Sequence, residues 1–196
     1  VVELARRPAL DGVAEPCRSG RPDGEPGVRL ATLDGEGLVA LAPRRGLVDD
    51  LSARLRAALG VGLPDTGRAI VGEDGAAVLW GGVGQYLALL PSAGLGAAAR
   101  LEAAIGDAGA VTPLAGARTL ITVAGPDAGE ALARLLPIDL DPAAFPPGSV
   151  AHTLAGHVGV LVWRREDDVV LGCYRSFGVA LWHACLDAGR GFGVVT

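Results

Sequence analysis

The sequence predicts an α+β fold: two β-α-β-β-β-α units whose antiparallel sheets carry packed helices. Three observations lead there. Half of the 196 residues are hydrophobic, enough to bury a sizeable core. Short apolar runs separated by Gly-rich breaks read as antiparallel strands. The same order of elements then occurs twice along the chain.

Residues 1–27 are rich in Pro, Gly and Arg and lack periodicity, so they are expected to form an irregular arm lying on a partner. Val28-Arg-Leu-Ala-Thr-Leu alternates apolar and polar side chains, as a half-buried strand does, and Asp34-Gly-Glu-Gly breaks it. Leu47, Leu51, Leu55 and Leu59 recur every fourth residue along one helix face. Gly60 and Gly62 stop that helix, and Pro64 prevents its return. Ala69–Val71, Ala77–Trp80 and Tyr86–Leu90 read as three strands, and an Ala-rich helix runs from Leu95 to Ile105. The first unit is thus expected over 28–112.

The second unit, over 113–196, repeats the order. Thr119–Val123 is a strand, Gly125-Pro-Asp leads into a helix from Ala128 to Leu136, and Val150–Leu154, Gly159–Trp163 and Val169–Tyr174 are strands. Ser176 is expected to cap a last helix reaching Asp187, with Phe177, Leu181 and Leu186 on its apolar face. A short apolar tail closes the chain. Val-Leu-Trp ending at Trp80 overlays Leu-Val-Trp ending at Trp163, with the next strand about six residues later in both.

Composition narrows the function classes. Net charge is −5 with no dense Lys/Arg patch, which argues against a nucleic-acid surface. No apolar run reaches the roughly 18 residues of a membrane span. The opening Val-Val-Glu-Leu-Ala-Arg-Arg-Pro lacks the pattern of a secretory signal. Cys17, Cys173 and Cys185 are an odd, widely spaced set, so reduced thiols and a cytoplasmic location are expected, with no metal site. A charged share of only 20% suggests that a partner covers apolar surface, although a GC-rich codon bias gives the same composition.

The second unit differs from the first by an inserted loop, Asp139–Pro147, within the stretch Leu135–Ser149, which holds Asp139, Asp141, Phe145 and four prolines. Each Pro removes a backbone donor, so this is an ordered loop. Two readings stay open: a binding loop presenting both carboxylates, or a rigid connector in which Asp139 and Asp141 cap turns and Phe145 anchors. Arg175 beside Ser176 could grip a carboxylate bidentately or be a surface Arg, and Trp182 lies on the same helix. His152, His157 and His183 lack metal spacing, Gly81-Gly-Val-Gly is a hairpin turn, and Cys173 and Cys185 are small core fillers.

Ile121-Thr-Val-Ala-Gly-Pro-Asp-Ala, Pro137-Ile-Asp-Leu-Asp-Pro-Ala-Ala-Phe-Pro-Pro-Gly and Tyr174-Arg-Ser-Phe with Leu181-Trp182 resemble the gamma subunit of heterotetrameric sarcosine oxidase. That subunit is similar to the folate-binding aminomethyltransferase, the T-protein of the glycine cleavage system. The resemblance implies the T-protein fold and places Asp139 at the position of the T-protein's folate-site Asp. The Tyr-x-Gly-Glu-x-Gly segment that grips the pterin is missing, and Gly159-Val-Leu-Val-Trp-Arg replaces Gly-x-x-x-Asp-Asp. A catalytically silent subunit is therefore implied, with alpha, beta and delta subunits as partners. FAD, FMN, NAD, tetrahydrofolate and zinc are expected on those other chains. The alternative is a free-standing folate-binding or aminomethyltransferase-like protein.

Overall fold

The structure is a computed structural model that describes residues 7–21, 24–33, 35 and 37–196. The opening residues 1–6, and Asp34 and Glu36 of the expected break, lie outside the described residues. Among the described residues, twelve strands form two sheets, and four α-helices cover their outer faces.

A five-stranded sheet has the order β4-β5-β6-β3-β7, built from β3 (Leu38–Pro43), β4 (Ala69–Val71), β5 (Ala77–Gly82), β6 (Gln85–Leu89) and β7 (Gly109–Pro113). A seven-stranded sheet has the order β1-β12-β2-β8-β11-β10-β9. It contains β1 (Arg18–Ser19), β2 (Val28–Leu33), β8 (Arg118–Ala124), β9 (Val150–Ala155), β10 (Val158–Arg164), β11 (Asp168–Tyr174) and β12 (Val194–Val195). Among the described residues, all strand pairings are antiparallel except β2 with β12.

Period-two alternation sorts the side chains into layers. On β5, Val78 faces the helices α1 (Val48–Leu59) and α2 (Ala97–Ile105), while Ala77 and Leu79 point between the sheets. On β10, Val160 and Val162 face α3 (Ala128–Ala133) and α4 (Gly178–Gly189), while Leu161 and Trp163 point between the sheets. The result is a four-layer α/β/β/α stack with three apolar clusters, one at each layer boundary.

Leu51, Leu55 and Leu59 form the buried stripe of α1, as their spacing predicts, and Gly60 ends it at φ 72°. The β8–α3 turn needs glycine differently. Gly125 has φ 111°, and a Cβ there would lie 2.4 Å from the Gly27 carbonyl oxygen.

Several expectations are corrected. The repeated unit is β-α-β-β-β-α-β, and its first pass opens on β3, not on β2. β2 sits between β8 and β12 in the other sheet, filling a place that has no counterpart between β3 and β7. The N-terminal stretch is not merely an arm on a partner: Leu10 is buried in the apolar cluster that α3 and α4 share with the seven-stranded sheet, and β1 pairs with β12. The apolar tail is strand β12, with Val194 fully buried. Ser176 does not cap α4. Residues Arg175–Phe177 form a 3-10 turn, Phe177 occupies the N-cap without a side-chain bond, and Phe177 is exposed. The buried face of α4 consists of Gly178, Leu181, Trp182, Cys185 and Gly189. Among the described residues, no helix is long and apolar enough to cross a membrane.

Candidate functional site

The Asp139 loop forms one wall of an open groove of about 590 Å³; the β10–β11 hairpin and α3 form the others. Both carboxylates are exposed and both are engaged locally. Asp139 Oδ1 accepts from the Asp141 amide at 2.9 Å, and Asp141 Oδ1 accepts from the Ala143 amide at 2.8 Å. These are Asx turns, in which an aspartate substitutes for a backbone carbonyl. Phe145 is half-buried against the α3/α4 core.

The loop is fastened at both ends. Arg164 Nη1 donates to the Leu140 carbonyl at 2.8 Å, and the amides of Gly148 and Arg164 bond across to the carbonyls of Arg164 and Ser149. Its last residues also tie the two sheets together. Ala69 N donates to Gly148 O and Val150 N to Gly67 O, both at 2.8 Å, and Arg68 reaches Ser149 Oγ at 2.9 Å. Of the groove's cations, Arg165 is paired with Asp168, leaving an acidic rim of Glu130, Asp139, Asp141, Glu166 and Asp167. Among the described residues, no cluster of His, Cys, Asp and Glu could hold a metal ion.

Arg175, Ser176 and Tyr174 lie at another place, at the end of β11. There a cleft of about 450 Å³ is lined by Pro8–Leu10, the end of β2, Gly116, Arg118–Leu120 and Arg175. Arg175 Nη2 donates to the Arg7 carbonyl at 2.6 Å. The Arg118 guanidinium lies 3.8 Å from the centroid of the Tyr174 ring, and its Nε is buried without a hydrogen-bond partner. Arg118 has no signal in the sequence, where it only precedes the strand run Thr119–Val123. Trp182, grouped with Arg175 from sequence, does not reach the surface. Its ring is 2% exposed because this turn of α4 faces the sheet.

Arg118 also borders a second space, a void of about 30 Å³ between the sheets, lined by leucines, Trp163 and His152. His152 meets Trp80 edge-on, with ring centroids 5.5 Å apart, linking β9 to β5. Burial lowers the His152 pKa below its usual 6.5, and the charge of Arg118 lowers it further, against the raising effect of a backbone hydrogen bond at Trp80. The thiols of Cys173 and Cys185 are pushed up by burial to about 11 and about 12, so neither is a thiolate at neutral pH. Cys17 is exposed.

The comparisons with known proteins agree along most of the chain. The model of the sarcosine oxidase gamma subunit family matches residues 46–190. The sarcosine oxidase subunit gamma of an Arthrobacter species is 38% identical over 118 residues, 59% of this chain and 58% of that relative. The subunit gamma of Corynebacterium sp. strain P-1 is 37% identical over the same share of each. The match thus spans a little under three-fifths of these relatives' length. Among solved structures, a chain of the heterotetrameric sarcosine oxidase from Corynebacterium sp. U-96, in complex with pyrrole 2-carboxylate, superposes with a TM-score of 0.79. It is 28% identical, and 95% of this chain and 96% of that chain are covered. The glycine cleavage system aminomethyltransferase T of Bartonella henselae shares the fold, with a TM-score of 0.61 at 19% identity, 86% of this chain covering 47% of that one. By the family model and the fold together, this chain belongs to the sarcosine oxidase gamma subunit family.

Proposed function

We propose that this chain is the non-catalytic gamma subunit of a heterotetrameric sarcosine oxidase and supports its alpha chain. The observation that carries the reading is the superposition over 95% of this chain on a chain of such an oxidase. The complex takes sarcosine, oxygen and water to glycine, formaldehyde and hydrogen peroxide. The methyl carbon leaves at the formaldehyde level, for release or for transfer to tetrahydrofolate, and oxygen accepts the two electrons. FAD, FMN, NAD, tetrahydrofolate and zinc are assigned to the alpha, beta and delta chains, and no step is assigned to this one.

The geometry of the expected folate position supports that division. Asp139 is exposed, one of its oxygens holds the Asp141 amide, and the groove beside it has an acidic rim. The void between the sheets, at about 30 Å³, is far smaller than a ligand site of several hundred Å³. The residues present do not fit a pterin, which needs an apolar slot and oriented donors.

Co-expression of the full chain with the flavin-bearing chains of its host tests the reading. A yellow assembly of four different polypeptides, with sarcosine-dependent peroxide formation, is expected. A colourless chain that purifies alone and binds tetrahydrofolate saturably, with binding lost in Asp139→Ala, would overturn it and favour the free-standing folate protein.

A further inference from the structure

The cleft beneath Arg118 and Arg175 contains an imbalance that the fold alone does not explain. Arg118 Nε is buried and has no acceptor, and Arg118 is in no ion pair among the described residues. Its guanidinium lies over the face of Tyr174, and the neighbouring His152 and Cys173 offer it no counter-charge. A half-sunk cation without a counter-ion is costly, and native proteins leave few such groups unsatisfied. Arg175 adds a second guanidinium to the same cleft, and no carboxylate lines it among the described residues. A shallower depression shares Ala9, Gly116 and Arg175 with the cleft and carries Tyr174 and Phe177. These two aromatics are 58% and 46% exposed, on a chain with few aromatic residues at all.

We infer that this end of the seven-stranded sheet is the docking face for a partner polypeptide, with an acidic side chain of the partner seated between Arg118 and Arg175 and its apolar side chains covering Tyr174 and Phe177. The inference rests on the accessory-subunit reading and adds the face through which the subunit binds. Charge complementarity fixes the chemistry of the occupant: a chain of net charge −5 presents a local pair of cations here. The aromatics decide for a polypeptide over a small free carboxylate. A small anion would satisfy the arginines and leave both rings in water, whereas Tyr and Arg side by side are the residues on which protein interfaces concentrate their binding energy.

The test uses the tagged full chain co-expressed with the flavin-bearing chains of its host oxidase, reading flavin absorbance per tagged chain after purification. Arg175→Glu and Phe177→Ser are both at exposed positions and are expected to leave the unfolding midpoint unchanged. Each is expected to lower retention of the flavin chains about tenfold, with a further loss as salt is raised. Arg100→Glu, at an exposed position on α2, which packs on the five-stranded sheet, is expected to retain them fully. Arg118→Met is expected to lower retention while the isolated chain stays folded.

If the wild-type chain retains the flavin chains and Arg175→Glu, Phe177→Ser and Arg118→Met retain them equally well, the docking face is wrong and the accessory reading stands. If the wild-type chain retains none, the accessory reading falls and this inference falls with it. Saturable binding of acetate or glycine to the isolated chain, lost in Arg118→Met with partner retention unaltered, would make the cleft a small-ligand site and overturn the proposal.

Discussion

The junction between β8 and α4, directly behind the Arg175–Phe177 turn, gives a sharp prediction for Gly178→Ala. The backbone there is already helical, at φ −55° and ψ −47°, so alanine fits locally. Replacing glycine in a helix interior gains up to about 1 kcal/mol, and less at the first helical position. Against this, a Cβ at 178 would stand 2.6 Å from Thr119 Oγ1 and 3.1 Å from Thr119 Cβ and Cγ2. Thr119 is 6% exposed on a central strand and cannot step aside. Overpacking of this kind costs about 1–3 kcal/mol, so a net loss of about 0.5–2 kcal/mol is expected, a few degrees in Tm for a chain of this size. Thr119→Ala removes both the hydroxyl and Cγ2. The hydroxyl has no hydrogen-bond partner, so its loss offsets much of the lost burial. Urea unfolding followed by tryptophan fluorescence on the four proteins of the cycle measures the coupling. The double variant is expected to be more stable than the sum of the singles by about 1 kcal/mol. A Gly178→Ala protein at least as stable as wild type, or a strictly additive cycle, would refute the contact.

Native labelling with a thiol reagent is expected to modify Cys17 rapidly and to reach Cys173 and Cys185 only on unfolding, because burial keeps their thiols protonated; three fast thiols in native buffer would contradict this. His152 titrates below 6.5 in the folded chain, so the unfolded chain binds the extra proton first and stability falls as pH drops below about 6.5. The loss is expected to be well under the 1.4 kcal/mol per pH unit of a full proton, since His152 is exposed, and to disappear in His152→Gln. NMR titration checks the direction, and Arg118→Met is expected to raise the His152 midpoint.

The Asp139 loop illustrates why a sequence leaves function open. Its prolines and aspartates announce an ordered loop, but both a binding loop and a connector require the same residue types. Only the folded chain shows that the two aspartates hold Asx turns and that Gly148–Val150 clamp one sheet to the other. Arg118 is the converse case. A single Arg at the start of an apolar strand carries no local signal, and its significance comes from β11 bringing Tyr174 alongside and Arg175 into the same cleft.

Local order was decided by the residues themselves. The fourfold leucine spacing of α1, the Gly60 stop, the alternation in β2, the short apolar runs of β5 and β10, and the repeated order of elements are written in the local sequence. Partnership between strands was not. β3 is apolar on both faces, Leu38 between the sheets and Val39 and Leu41 under the helices, so its sequence does not say which layer it joins. β7 is a short edge strand bounded by Gly109 and Pro113, and β12 has only two residues. The placement of β2 between β8 and β12 depends on hydrogen bonds between residues about 90 and 165 positions apart, such as Ala31 with Thr122 and Val28 with Val194. Periodicity reports which face of an element is buried. Which element it is buried against is a long-range choice, made only when the layers close and every strand edge and apolar face has to find a partner.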